Sequence, residues 1–279
     1  MSLRIIAEGV GVQTVTLYFM SSLGIIPRAD YAIFADPGAE KNATYRYLEY
    51  LKGWQQKNNG IPLIHSTLRS TIKEDLINGT NSTGNRFASI PAFTLNVKEN
   101  SKGMLRRQCT NEYKIMVVDK EIQKLYGLPK WGRIPKTEIW MGITLDEIER
   151  AKPDIDKKQK WKIRVYPFLN LNCSFFPQSL TRSDCTQWLL NNNFPIPPKS
   201  ACFFCPYQGD NQWLEIKQTE PENFQEAVML DKKIRNSTKK GVRNPIYLHG
   251  SCKPLDEVDF NESQEELFNN SCDGGYCGL

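Results

Sequence analysis

Residues 3–77 alternate short apolar runs with amphipathic segments, and this alternation narrows the fold more than any other feature of the chain. Leu3-Arg-Ile-Ile-Ala7 reads as a buried strand that runs into Glu8-Gly-Val-Gly-Val-Gln-Thr14. An apolar-periodic helix follows from about Val12 to Leu23 and stops at Gly24. Tyr31-Ala-Ile-Phe-Ala35 is a second buried strand, ending in Asp36-Pro-Gly-Ala-Glu40, and a long helix is predicted from about Asn42 to Gln56. Pro62-Leu-Ile-His65 reads as a third strand and Leu68 to Ile77 as a third helix. Strand and helix alternating in this way predict an α/β fold, a Rossmann-like parallel sheet flanked by helices.

The rhythm then breaks. Asn78 to Asn85 and Val97 to Arg107 are polar stretches that read as loops near a site. A helix is predicted from Asn111 to Leu125, a strand at Thr137-Glu-Ile-Trp-Met-Gly-Ile143 and a short helix from Leu145 to Arg150. Lys152 to Lys162 is dense in charge and reads as a solvated loop, and the tryptophans at 131, 140, 161, 188 and 213 read as core anchors. From Tyr166 onward proline, aromatic residues and cysteine dominate. These patterns suggest an α/β domain over 1–165 and a mostly helical, cysteine-rich C-terminal region over 166–279 that packs across its rim.

Composition bounds the function. No apolar run is long enough to cross a bilayer, and Glu8 and Gly9 interrupt the N-terminal apolar stretch before it resembles a secretory leader. A cytoplasmic protein without membrane attachment is expected, in a compartment that keeps thiols reduced. Eight cysteines there call for a reason other than disulfides, and two histidines are too few for a His-rich zinc site. A net charge of +5 suits an anionic partner.

Two motifs carry chemistry. Gly9 and Gly11 fall between a strand and a helix, where backbone N–H groups approach an anion and the helix terminus adds partial positive charge. Thr14 offers a hydroxyl there. Asp36 ends the next strand on the same rim and suits a ribose hydroxyl or Mg²⁺, or else a helix-capping turn. Cys202 and Cys205, in Lys199-Ser-Ala-Cys-Phe-Phe-Cys-Pro-Tyr-Gln208, fit zinc, an iron–sulfur cluster, a redox disulfide or a chance spacing. Lys102, Arg106, Arg107 and Lys114 flank Cys109 and suit phosphates, a cluster or a nucleic-acid backbone. Arg86 sits beside a polar loop, where it would help close the site or else pack, and His249 reads as a structural imidazole.

Gly9-Val-Gly-Val-Gln-Thr14 resembles a variant of the Ser-Gly-Gly-x-Asp-Ser loop of the adenine-nucleotide α-hydrolase superfamily, which includes ATP pyrophosphatases and phosphoadenosine phosphosulfate (PAPS) reductases. Phe34-Ala-Asp-Pro-Gly-Ala-Glu40 resembles the Asp-Thr-Gly segment of PAPS-reductase-like proteins. Arg107-Gln-Cys-Thr-Asn-Glu-Tyr-Lys114 resembles their Cys-Cys-x-x-x-Lys segment, and Cys-Phe-Phe-Cys-Pro with the closing Cys-Gly-Leu completes the order. The resemblance spans nearly the whole chain and is closest to PAPS-reductase-like proteins of bacteria and phages. Gln13 stands where ATP pyrophosphatases carry Asp, which favours nucleotide binding over pyrophosphate cleavage.

The resemblance implies an adenine nucleotide such as ATP, with Mg²⁺, held by Gly9, Gly11, Gln13, Thr14, Asp36, Gly38, Glu40 and Arg107. It also implies a [4Fe–4S] cluster on Cys109, Cys202, Cys205 and Cys277, with Cys272 as the alternative fourth ligand; zinc competes for the same thiolates. Sulfur transfer or ATP-dependent adenylation, with tRNA or DNA as acceptor, is the implied class. A sulfonucleotide reductase with Cys277 as nucleophile is one alternative. A non-catalytic nucleotide- or nucleic-acid-binding protein with structural zinc is another. Cys185, Cys173 and Cys252 are assigned to packing.

Overall fold

The run of Ile5, Ile6 and Ala7 has no exposed face, so the strand it forms must be covered by helices on both sides. The computed structural model, which describes residues 2–260 apart from 82, 85, 86, 88, 89, 154, 156–158, 172 and 238–241, places it at the centre of a sheet. In chain order the elements are β1 (Arg4–Glu8), α1 (Val12–Ser22), β2 (Tyr31–Asp36), α2 (Asn42–Asn58), β3 (Leu63–Thr67), α3 (Ile72–Ile77), β4 (Phe93–Asn96) and β5 (Ser101–Met104). A π-helical turn (Asn111–Ile115) then leads into α4 (Met116–Leu125), followed by β6 (Thr137–Trp140), β7 (Lys162–Val165), α5 (Arg182–Asn191), α6 (Asp210–Thr219), α7 (Pro221–Ile234) and β8 (Ile246–Tyr247).

Five strands form a parallel sheet in the order β3-β2-β1-β6-β7. Side chains alternate across it as a period of two requires. Ile6, Ala32, Phe34 and Trp140 pack under α1, α2 and α5, whereas Ile5, Ala7, Ile33, Ala35 and Ile139 pack under Val117, Val118 and Ile122 of α4. The protein is thus α/β and Rossmann-like. Helix α1 is buried almost all round, because Phe194 stacks on Phe19 with ring centroids 3.8 Å apart and α5 covers its outer side.

A second core lies beyond the sheet. An antiparallel sheet in the order β5-β4-β8 joins α3, α6 and α7 around Phe203, Phe204, Trp213, Phe224 and Leu230. Residues 166–194, past the expected boundary at 165, stay with the first core through Phe168, Cys185 and Leu189. The second core draws on both halves of the chain, since Ile72, Ile90 and Tyr113 belong to it as well.

Several local expectations change. The stretch Val97 to Arg107 is not a loop throughout, because β5 pairs with β4 and Lys102 bonds the Gly250 carbonyl at 3.2 Å. The third helix starts at Ile72, not Leu68, where Thr71 and Glu74 cap one another. The expected helix from Asn111 opens as the π turn. Lys162 is not solvated, because it is buried in β7 against Asp119 at 2.7 Å. Trp131 is no core anchor: it is 90% exposed, whereas Trp140 and Trp213 are fully buried. His249 is held by Asp210 at 2.7 Å and Ser251 at 2.8 Å, the contacts of a structural imidazole. No helix among the described residues is long and apolar enough to cross a membrane.

Asp231 of α7 pins the second core. Its fully buried carboxylate accepts the N–H groups of Leu248 at 2.8 Å and Leu255 at 3.1 Å and pairs with Arg235. Asp231→Ala leaves two N–H groups and a guanidinium without their acceptor and should cost about 3–5 kcal/mol in urea denaturation. Asp231→Asn, which keeps one acceptor oxygen, should lose less.

Candidate functional site

In an open parallel sheet, ligands collect where neighbouring connections leave in opposite directions. Here that point lies between β1, whose chain turns to β2, and β6 on its other side. A cavity of about 100 Å³ opens there, lined by Glu8, Gly9, Gly11, Gln13 and Thr14 on one side and Met141, Gly142 and Ile143 on the other. Gly142 is required, because a Cβ would come within 2.9 Å of Thr14. Lys114, Arg150, Arg182 and Lys199 bring positive charge to the walls.

The loop before α1 is held from inside. Thr14 Oγ1 donates to Glu8 Oε1 at 2.6 Å and accepts the N–H groups of Gly9 and Gly11, each at 3.3 Å. Glu8 Oε1 also accepts the Val10 N–H at 2.6 Å. Thr14 therefore shapes the loop, and its hydroxyl is engaged within the protein. The bend falls on Val10, at φ 55°, a costly conformation for a β-branched residue and one that accumulates at functional sites. Neither neighbouring glycine needs a positive φ. A Cβ on Gly11 would meet nothing within 4 Å, so Gly11 leaves open space over the cavity and resolves no clash.

Asp36 has a different role. Its Oδ1 accepts the Gly38 N–H at 2.6 Å and the Tyr45 hydroxyl at 2.8 Å, and its Oδ2 contacts His65 Nε2 at 2.8 Å. Burial pushes its carboxyl up, but the bonds from His65, Gly38 and Tyr45 outweigh burial and hold it below its usual range. The carboxylate organises the turn after β2. Gly38 serves the same turn, at φ 72° and with its Cα so near Thr71 that a Cβ would lie 2.2 Å from that side chain.

That turn is also where the cysteine loop docks. Glu40 pairs with Cys202 as an antiparallel bridge, and the Phe203 N–H reaches the Ala39 carbonyl at 2.9 Å. Glu40 is buried between Lys114 Nζ at 3.0 Å and Ser200 Oγ at 3.1 Å. Burial alone would lower the Lys114 pKa, but Glu40 more than offsets this and keeps the ammonium charged. Cys109, just before the π turn, and Lys114, within it, line the same cavity. Cys109, Cys202, Cys205, Arg107 and Lys114 all line it. The Arg107 guanidinium lies over the Tyr207 ring, 5.5 Å from its centroid, and bonds Thr110 Oγ1 at 2.5 Å.

Of the expected metal ligands, the three thiols inside the described residues therefore share one cavity; Cys272 and Cys277 lie outside those residues, as does Arg86. Burial, and next the nearby Glu40, push the Cys202 thiol well up, and burial with Cys109 pushes Cys205 up to about 11. Thiols so placed are poor nucleophiles by themselves and need a cationic partner to ionise. Among the described residues no three His, Cys, Asp or Glu side chains are grouped as ligands of a single ion. Cys109, Cys202 and Cys205 line one cavity with Lys114 and Arg107, and thiols are the donor type that zinc and iron–sulfur clusters take. Cys185 and Cys252 are buried, and Cys173 is half-buried.

Sequence reasoning missed Glu8, Gly142, Arg150, Arg182 and the roles of Lys199 and Ser200. The last two lie just before Cys202, and Gly142 falls inside the strand predicted over 137–143, whereas β6 ends at Trp140 and leaves Gly142 in the loop beyond it. A third cavity, of about 210 Å³, shares Ala7, Met141 and Arg150 with the first and adds Lys152, Lys162 and Tyr166. No protein-family model matches the chain, and no curated protein matches it.

Two glycines should respond oppositely to alanine. Gly38→Ala should destabilise by about 2 kcal/mol or more, from the left-handed backbone and the Thr71 clash. Gly11→Ala should cost no more than about 1 kcal/mol, as a helix N-cap change, while weakening anion binding.

Burial pushes the Glu8 carboxyl from 4.5 up to about 7 against the lowering bonds from Thr14, Val10 and Gly9. The folded state thus holds a proton that the unfolded chain has released. Stability from this group is full below pH 4.5 and is lost as pH rises through about 7. Glu8→Gln should therefore gain stability relative to the wild type between pH 4.5 and 8, by at most roughly 3 kcal/mol. Urea denaturation at the two pH values measures the difference.

Proposed function

We propose that the protein is an adenine-nucleotide-binding enzyme related to the PAPS-reductase-like branch of the α-hydrolase superfamily, acting in sulfur transfer or ATP-dependent adenylation in the cytoplasm. The observation that carries this reading is Lys114. One lysine lines both the switch-point cavity with its open glycine loop and the three-thiol cavity.

The first-turn N–H groups of α1 and the surrounding Lys and Arg side chains suit phosphate oxygens. Gln13 lines the same cavity and orients the nucleotide. Asp36 keeps the β2 turn in place, so that Glu40 can hold Lys114 charged between the two cavities. Cys109, Cys202 and Cys205 would hold a [4Fe–4S] cluster with a fourth thiolate from Cys277 or Cys272, and such a cluster carries sulfur or electrons. The cysteine-rich C-terminal region then closes the nucleotide rim. The third cavity, next to the nucleotide and basic, gives an anionic acceptor such as tRNA or DNA a place to enter.

Calorimetry with ATP, alongside iron, zinc and sulfide analysis of anaerobically prepared protein, tests this. Micromolar ATP binding with about four irons per chain is the expected result. Stoichiometric zinc without iron would remove the cluster, and no binding of any adenine nucleotide would remove the class. Cys277→Ser separates the reductase alternative, since reduction of PAPS or adenylyl sulfate should vanish while nucleotide binding stays.

A further inference from the structure

Glu8 poses a physical problem that the nucleotide reading does not solve. It is the last residue of β1, 1% exposed, and it forms part of the floor of the switch-point cavity. Its Oε1 accepts two hydrogen bonds, from the Val10 N–H and the Thr14 hydroxyl, both at 2.6 Å. Its Oε2 is buried and has no hydrogen-bond partner among the described residues. An ionised carboxylate in that place would repel the phosphate that the loop is shaped to receive, and a buried oxygen without a donor costs free energy by itself.

One proton removes the charge. We propose that Glu8 is held as a neutral carboxylic acid beneath the bound phosphate, so that the site takes up a phosphate and a proton together. This rests on the nucleotide-binding reading and adds the protonation state that it requires. Oε1 already accepts two hydrogen bonds, which leaves the buried Oε2 to carry the proton.

The surrounding groups agree. From α1, Tyr18 faces Glu8, and from α2, Tyr47; burial raises both phenols, so both are neutral near pH 7. Around the cavity, Lys114 is answered by Glu40 and Arg150 by Glu147, with Arg182 and Lys199 on the remaining wall. The upward shift of Glu8 is set by burial, against the lowering hydrogen bonds from Thr14, Val10 and Gly9. A divalent ion is the competing explanation, since it would also neutralise Glu8 against phosphate. It would have a single free carboxylate oxygen here, because Thr14 Oγ1 is engaged and Asp36 is bound to its own turn.

The test is ATP binding by calorimetry from pH 5.5 to 8.5, first without Mg²⁺, in two buffers of unlike ionisation enthalpy, for wild type and Glu8→Gln. The amide Nε2 of glutamine imitates the protonated acid, and comparing the two proteins removes the titration of ATP itself. Wild-type affinity should fall by about tenfold per pH unit above 7 relative to the variant, and its extra proton uptake should approach one per ATP. Binding that shows the same pH slope and proton uptake in both proteins would overturn the inference and leave the nucleotide reading intact. A wild type whose affinity at pH 8.5 is restored by Mg²⁺, with no such effect in the variant, would make Glu8 a metal ligand instead. Absence of ATP binding in either protein at every pH would remove the underlying reading as well. Should Glu8→Gln not fold, infrared spectroscopy on the wild type decides: a protonated-carboxyl C=O band must shift when ATP is added at pH 7, and an unchanged spectrum overturns the proposal.

Discussion

The buried Lys114–Glu40 pair ties together the segments that make this molecule more than a parallel sheet. Glu40 belongs to the turn after β2, Lys114 to the π turn before α4, and Ser200, which shares the same carboxylate, to the cysteine loop. An isolated charge here would be expensive to bury; together the two are compensated, and the hydroxyl uses the remaining oxygen. The consequence is geometric. Three stretches far apart in sequence are held at one rim of the sheet, and the cysteine loop is fixed by backbone bonds to Ala39 and Glu40.

Two other constraints support that arrangement. Asp36 with Gly38, Tyr45 and His65 fixes the turn that presents Glu40, and the second core anchors the cysteine loop through Phe203 and Phe204. Strain is placed where a ligand could offset it. Val10 bends at positive φ and Glu8 is buried with an oxygen that has no partner among the described residues, both in the loop that also carries Gly11. Local rules broken together at one place in an otherwise consistent fold are what a functional or strained site is expected to show.

Much of the sheet was legible in the chain. Parallel strands covered on both faces appear as continuous apolar runs, so β1 and β2 could be placed almost to the residue, and the glycine loop announced the start of α1. The hairpin β4–β5 was not legible: its strands are short, β5 is largely polar, and Phe93 of β4 meets Tyr247 of β8 only 154 residues further on (247 minus 93). The π turn also escaped, because it shares its side-chain pattern with an ordinary helix. Trp131 illustrates the limit of composition, since an aromatic residue reads as core unless the loop that carries it is known to face outward.

For the candidate site, the sequence by itself determined the chemical inventory: a glycine loop at a strand end, a Cys-x-x-Cys pair, Cys109 with its basic neighbours, and an acidic turn after β2. Only the tertiary structure decided how these are used. It turned Asp36 and Thr14 into supports, and placed Lys114 between two cavities. It also made Glu8, unremarkable in the chain, a buried carboxyl of the rim. The reason is that a side chain's type is written locally, whereas its burial and its partners depend on contacts between residues widely separated in sequence, which no local periodicity records.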